Sequence, residues 1–298
     1  VEGIFFAVLT VISWGMWLAP SQRISFKNQQ IKIFYVSAAN LVLAFFVGLV
    51  QGFQHLTLDT FWFPFIGGLI WAVSGYFAFL GTSRIGMAKA VGIWAPMNLL
   101  VSIVWGILLF GEFLKTGILN IILSSIAVLT VIAGILLIIF AKGKSEGEES
   151  ASNSKFIKSG ILGAIGAGIL WGSYFIPIRL SDISMWVAAF PMAVGIFTGS
   201  TILALMTRTS FLLKKPSHYA RVFLTGLLWG IGNYASLRMM ELIGTGKGFS
   251  IAQLNVAFHA LIGIFIFKEV EPRSKAAVKT LAGIALALAG AILLGNLK

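Results

Sequence analysis

SWGMWLAPSQR, Ser13 to Arg23, has a counterpart in LWGSYFIPIR, Leu170 to Arg179. Each copy runs Trp-Gly, places an aromatic side chain three residues after the Trp, and reaches Pro six residues after it. Trp14 and Trp171 stand 157 residues apart, and both phrases interrupt apolar runs. A phrase containing Trp and Pro, written twice, is a sign of internal duplication, and duplication decides the architecture before any single motif is read.

The repeat extends outward in both directions. At the same offset Gly3, Ile4, Ala7, Ile12, Gly15 and Pro20 recur as Gly160, Ile161, Ala164, Ile169, Gly172 and Pro177. One residue further on, FIGGLIWAVSGYFAF (65–79) matches FLTGLLWGIGNYASL (223–237), sharing Phe, Gly, Leu, Trp and Tyr. Ile85, Gly86 and Lys89 answer to Ile243, Gly244 and Lys247, and LLFGE (108–112) answers to FIFKE (265–269). Between the copies lies AKGKSEGEESASNSKFIK (141–158), whose Gly, Ser, Lys and Glu content reads as a solvated linker. The chain therefore divides into a first repeat (1–140), the linker, and a second repeat (159–298).

The residues around these phrases are too apolar for water. Hydrophobic residues make up 58% and charged residues 11%, against about a quarter charged in soluble domains, and mean hydropathy is +0.95. A membrane-crossing helix needs about 20 apolar residues. Ten stretches qualify, near 4–22, 33–52, 61–82, 89–110, 118–140, 159–178, 184–206, 219–240, 247–267 and 277–296. These runs are continuously apolar, which excludes the alternating ten-residue segments of a membrane β-barrel. The expectation is an all-α integral membrane protein of ten transmembrane helices. The first run lacks a basic leading region and belongs to the repeat, so it reads as a span and not a cleaved signal.

Five spans per repeat is an odd number, so the second repeat must enter the membrane from the opposite side. The charge pattern agrees. Seventeen of the 22 Lys and Arg fall in the connections after odd-numbered spans, while Lys115, Arg179, Arg238, Lys247 and Lys298 lie on the other side. The positive-inside rule then places the linker in the cytoplasm and both termini outside, in a multi-pass protein of the cell membrane. The net charge of +12 is thus explained without nucleic acid, because the basic residues sit singly between spans. Two inverted five-helix repeats are a recurrent design of secondary transporters, with the substrate held near the midplane between them.

Ten helices in two inverted halves, with the fourth span ending in an apolar-Gly-Glu phrase, resemble the drug/metabolite transporter superfamily. Within it, GLLWGIGNY (226–234) and IGTGKGFSIAQ (243–253) resemble the bacterial glucose/ribose porter and rhamnose transporter branch, and the likeness spans essentially the whole chain. The resemblance implies carbohydrate uptake, coupled to protons in several members. One departure stands out: the ninth span ends in Lys268-Glu269 where the family pattern has Gly-Glu.

Polar and aromatic groups inside apolar spans point to a pathway. Trp14, Trp17 and Pro20 lie at three-residue steps on one helical face, and Trp171, Tyr174 and Pro177 repeat them. Pro removes a backbone hydrogen bond and bends a helix, which suits a gate at Pro20 and Pro177. The alternative for the aromatics is anchoring at the membrane boundary; Trp14 and Trp171 fall about ten residues into their spans, which favours the pathway. A sugar presents hydroxyls and an apolar ring face. Tyr76, Trp94, Asn98, Asn233 and Tyr234 supply hydrogen bonds or aromatic planes to match, while helix–helix adhesion remains the competing role. In the ninth span Asn255 and His259 share a face, and Gln253 points roughly 200° away from Asn255. Periodicity favours the pair; the family resemblance favours Gln253. His259 is the candidate for proton coupling, with a neutral, hydrogen-bonded ring as the default. Glu112 and Glu269 lie at span ends and read as structural.

Other classes lack their residues. There is no Cys for disulfides or thiolate metal sites, no metal-ligand cluster, and no paired interior carboxylates or nucleophile–base pair for an enzyme. GTGKG (244–248) lacks the spacing and following Ser/Thr of a phosphate loop. No cofactor and no obligate protein partner is expected; the partners are a small polar solute, protons and the lipid bilayer. An exporter of amino acids, amines or drugs on the same fold is the alternative to a monosaccharide transporter. The absence of a mid-span acidic residue speaks against cationic drugs.

Overall fold

The computed structural model describes residues 2–51, 53, 56–110, 117–141, 151–181, 183–243, 248 and 251–296. Among these residues the regular structure is entirely helical. The first repeat gives α1 (Glu2–Met16), α2 (Gln29–Gln51), α3 (Leu58–Ile85), α4 (Met87–Phe110) and α5 (Ile118–Ile139). The second gives α6 (Ala151–Trp171), α7 (Met185–Met206), α8 (Pro216–Ile243), α9 (Leu254–Leu261) and α10 (Lys275–Asn296), with a short helix Ile176–Leu180 after α6.

Eight of the described helical stretches are long and apolar enough to cross a membrane, against the ten expected. Two of the expected spans are not among these eight, and most of residues 244–250 at the start of the ninth lie outside the described residues. Helix α8 is long but carries Arg221, Asn233, Arg238 and Glu241, which lower its hydropathy. Helix α9 and the π-turn Ile262–Ile266 that continues it form a shorter apolar segment, Leu254–Ile266. Lys142 and Lys144, Glu112 and most of GTGKG lie outside the described residues. The end of the expected linker is helical, since α6 begins at Ala151.

The repeated phrase breaks its helix both times. Helix α1 stops at Met16 and a 3₁₀ turn, Ala19–Ser21, carries Pro20; α6 stops at Trp171, and Pro177 stands in the first turn of Ile176–Leu180. Neither Pro can donate a backbone hydrogen bond, so continuous α-helix ends ahead of each. The glycine of each phrase is a contact point. A Cβ on Gly172 would lie 2.8 Å from the Asn98 carbonyl of α4, and one on Gly15 would lie 2.5 Å from Phe258 Cβ of α9.

Helices pack chiefly across the two repeats: α3 against α6 and α7, α8 against α1 and α2, α4 against α6, α9 against α1, α2 against α7 and α5 against α10. Their outer faces carry exposed apolar side chains, among them Phe45 and Phe46 on α2 and Leu119, Ile122, Ile126 and Leu129 on α5. A helix apolar on its outer face as well as its inner one belongs in lipid. The protein is an all-α, multi-pass membrane protein.

Candidate functional site

At the centre, indoles from five helices meet. Trp71 of α3 and Trp229 of α8, which occupy equivalent places in the two repeats, have ring centroids 4.4 Å apart. Trp171 of α6 lies 5.6 Å from Trp71 and 5.4 Å from Trp94 of α4, the latter edge-to-face. Trp14 of α1 completes the group through its indole N–H, which donates to the Trp229 carbonyl at 3.3 Å, while its ring fills the space left by Gly232. Trp71, Trp94, Trp171 and Trp229 are each at most 9% exposed, so the cluster is enclosed by protein.

Trp14 and Trp171 are repeat equivalents with unequal bonding. The buried Trp171 Nε1 has no hydrogen-bond partner among the described residues, whereas Trp14 Nε1 has one. A buried donor without a partner costs about 1–3 kcal/mol, which is unusual unless something else bonds there.

The remaining expected residues divide. Asn98 stands one turn beyond Trp94 on α4 and accepts from Ser102 Oγ at 3.3 Å. Tyr174 follows the break after α6, its carbonyl packed on Gly67 of α3. Trp17 is buried against Phe79, centroids 5.7 Å apart, below the cluster toward the Lys/Arg-rich end. Pro20 is tied by its carbonyl, which accepts from Arg221 Nε at 2.6 Å. Tyr76 is partly buried beside Phe77. Tyr234 stacks on Trp186 at 5.9 Å, and the Trp186 indole donates to Glu241 near the opposite end of the molecule. Asn233 is partly buried on α8, its carbonyl accepting from Ser236 Oγ at 2.7 Å.

In the ninth span Gln253 stands apart from Asn255 and His259. Gln253 lines a small cavity with Gly92 and Pro96 of α4 and Ile284, Ala287 and Ala291 of α10, and none of the cluster indoles borders it. Asn255 donates to the Ala252 carbonyl of its own turn. His259 is buried, with Nδ1 2.9 Å from the Asn255 carbonyl and Nε2 without a partner among the described residues.

Three features escaped sequence reading. Trp71 and Trp229 were visible only as two letters of the matched stretches 65–79 and 223–237; their registered recurrence was the usable signal. Asn40 of α2 is 4% exposed, with its Oδ1 against Gly230 one residue from Trp229. The third is the engagement of Glu269, described below.

Residues 5–297 match the family model described as Sugar transport protein. A Bacillus anthracis protein named "Putative sugar uptake protein" is 28% identical over 300 residues, covering 99% of both chains. The glucose uptake protein GlcU of Bacillus subtilis is 28% identical over 260 residues, 87% of this chain and 85% of that one. A solved crystal structure aligns over 98% of this chain and 97% of its own with a TM-score of 0.63 at 18% identity, a likeness of fold.

Proposed function

Since the chain belongs to the sugar transport protein family and is a membrane sugar transporter, not an enzyme, we propose that it carries a monosaccharide across the cell membrane by alternating access. The observation that carries this reading is the tryptophan cluster at the junction of the two repeats. Indole faces cover the apolar face of a pyranose, and the Trp171 N–H offers a dry donor for a hydroxyl. Asn98 stands one turn beyond Trp94, Asn40 lies against Gly230 beside Trp229, and both extend the polar set; Asn233 lies one turn beyond Trp229.

In this reading the repeats are inverted. Helix pairing supports a two-fold relation between them, to which the odd number of spans per repeat adds the inversion: replacing each helix by the one five places on turns α3–α6 into α8–α1, α3–α7 into α8–α2 and α4–α6 into α9–α1. The pairs α2–α7 and α5–α10 return to themselves. The indoles then close over the site, and the broken helices at Pro20 and Pro177 act as gates. His259, with one nitrogen tied to its own helix, serves as a neutral ring. The linker faces the cytoplasm.

Uptake of a labelled monosaccharide panel into proteoliposomes tests the proposal, with and without an imposed pH gradient. At least one sugar moves and competes with its close analogues. Transport of an amino acid or amine with no response to any sugar would assign the cluster to another solute.

A further inference from the structure

Glu269 follows the π-turn of α9, just outside the membrane-spanning segment, and its carboxyl group is gripped by parts of the chain far apart in sequence. Oε2 accepts from the Ala88 N–H at 3.0 Å, with the Met87 N–H beside it, so the group sits over the first turn of α4. Oε1 accepts at 3.0 Å from Gln22 Nε2, on the connection after α1, and the same amide donates to the Thr82 carbonyl of α3 at 3.2 Å. Two glycines wall the carboxyl. A Cβ on Gly86, whose φ is +81°, would fall 2.8 Å from Oε2, and one on Gly263 would fall 2.6 Å from it.

These contacts join α1, α3, α4 and α9 at the Lys/Arg-rich end. Arg23 adds two long bonds, to the Ile266 and Phe267 carbonyls, and lies over the Phe267 ring. Any opening of this end that separates α1 and α9 from α3 and α4 must take the Glu269 carboxyl out of its enclosure and into water. A titratable group whose surroundings change with a conformational step exchanges protons with that step.

We propose that Glu269 is a proton-binding site linked to the opening and closing of the Lys/Arg-rich end. The proposal rests on the alternating-access reading above, because only that motion moves the group between enclosure and water. The proton bound on the enclosed carboxyl leaves to the water of the compartment that this end faces.

The sign follows from the surroundings. Burial raises the Glu269 pKa, opposed by the Met87 and Ala88 N–H groups and the Gln22 amide, and the raised value prevails. Charged side chains on the neighbouring elements are Arg23 after α1, Arg84 on α3, Lys89 on α4, and Lys268, Glu271 and Arg273 on its own segment. Among the described residues neither Arg23, Arg84, Lys268 nor Arg273 forms an ion pair with Glu269, and Arg84 is engaged with Ser159 and the Phe156 ring. A carboxyl whose pKa is higher in the closed arrangement than in water favours that arrangement below the pKa of the hydrated group. That advantage disappears as pH rises through the closed-state value. Acid therefore holds this end shut, and opening releases a proton.

The chain has no cysteine, so single reporters can be introduced. Thr82 is 2% exposed beside the Gln22 contact, and Ser83 next to it is exposed. The thiol-reagent reaction rate of Thr82→Cys, divided by that of Ser83→Cys, reports opening. Acidifying from about pH 8 to about pH 5 lowers this ratio, by up to about tenfold for each pKa unit separating shut and open states. In Glu269→Gln the ratio becomes independent of pH, and in Glu269→Asp, which retains a carboxyl, the dependence persists with a displaced midpoint. A wild-type ratio that is flat or rises on acidification overturns the proposal, as does an unchanged profile in Glu269→Gln. The readout requires no sugar. A responsive ratio in a protein that moves no sugar leaves the proton site standing and removes the substrate; sugar transport with a flat ratio does the reverse.

Discussion

Trp14 and Trp171 offer a paired test of the central site, since the sequence treats them alike and the structure does not. Changing either to Phe removes one ring and one N–H. The ring loss is common to both, so the comparison isolates the N–H. In Trp14→Phe a hydrogen bond to the Trp229 carbonyl is lost, at a net cost of about 0.5–1.5 kcal/mol. In Trp171→Phe the group removed is a buried donor that has no partner among the described residues, and its removal relieves about 1–3 kcal/mol. Without substrate, Trp171→Phe is therefore the more stable of the two variants by about 1.5–4.5 kcal/mol. Sugar affinity orders them the opposite way. If the Trp171 N–H meets a sugar hydroxyl, Trp171→Phe weakens Kd by roughly fivefold, about 1 kcal/mol, while Trp14→Phe leaves it nearly unchanged. Unfolding of the purified variants gives the first quantity and equilibrium binding of the transported sugar gives the second. A Trp171→Phe variant as destabilised as Trp14→Phe, with wild-type affinity, would refute the assignment and leave the indoles as packing.

Two further outcomes follow from individual residues. Lys268 has φ +53°, a left-handed conformation that costs a non-glycine residue about 1–2 kcal/mol; Lys268→Gly should raise stability by about 1 kcal/mol in an unfolding titration, after the larger backbone entropy of Gly is deducted. For orientation, Ser210→Cys at the Lys/Arg-rich end should resist an impermeant thiol reagent in intact cells while Thr57→Cys reacts, both sites being exposed; the reverse pattern would invert the topology.

What the sequence made legible is what repeats and periodicity carry. The all-helical membrane class came from composition, and the break points of α1 and α6 from the two copies of Trp-Gly followed by Pro. Trp94 and Trp171 were legible because each sits inside an apolar run with polar companions. Trp71 and Trp229 are not legible in this way, because a lone Trp in a span has many uses, and only their meeting at 4.4 Å distinguishes them. Gln253 shows the converse. Its pattern match gave no direction, and the side chain borders α4 and α10 instead of the indoles. Lys268-Glu269 shows why a family pattern would hold Gly there: the position takes a positive φ, and close approach is supplied by Gly263 a turn earlier. Glu269 itself looked like a span end because its partners, Gln22 and Ala88, are distant in sequence.

The same limitation applies to the two repeats as folding units. Sequence similarity groups α1–α5 and α6–α10, yet α1 is joined along its length to α8: Glu2 to Arg238, Trp14 to Trp229, Ser21 to Thr225 and the Pro20 carbonyl to Arg221. Helix α6 is joined likewise to α3, through Arg84 to Ser159, Ser74 to the Ala167 carbonyl and Trp71 to Trp171. Each hydrogen bond between membrane helices is worth only about 0.6 kcal/mol on average, so the packing of these long faces must supply most of the affinity between halves. A half made alone would leave those faces, and the buried Trp229 or Trp71 within them, against lipid or detergent. Dividing the chain between Ala141 and Ala151 should therefore give two fragments that co-purify when made together and are each protease-sensitive when made alone. Recovery of either fragment by itself, monodisperse and as protease-resistant as the intact chain, would show that a repeat folds on its own contacts and that the cross-repeat pairs are a later docking.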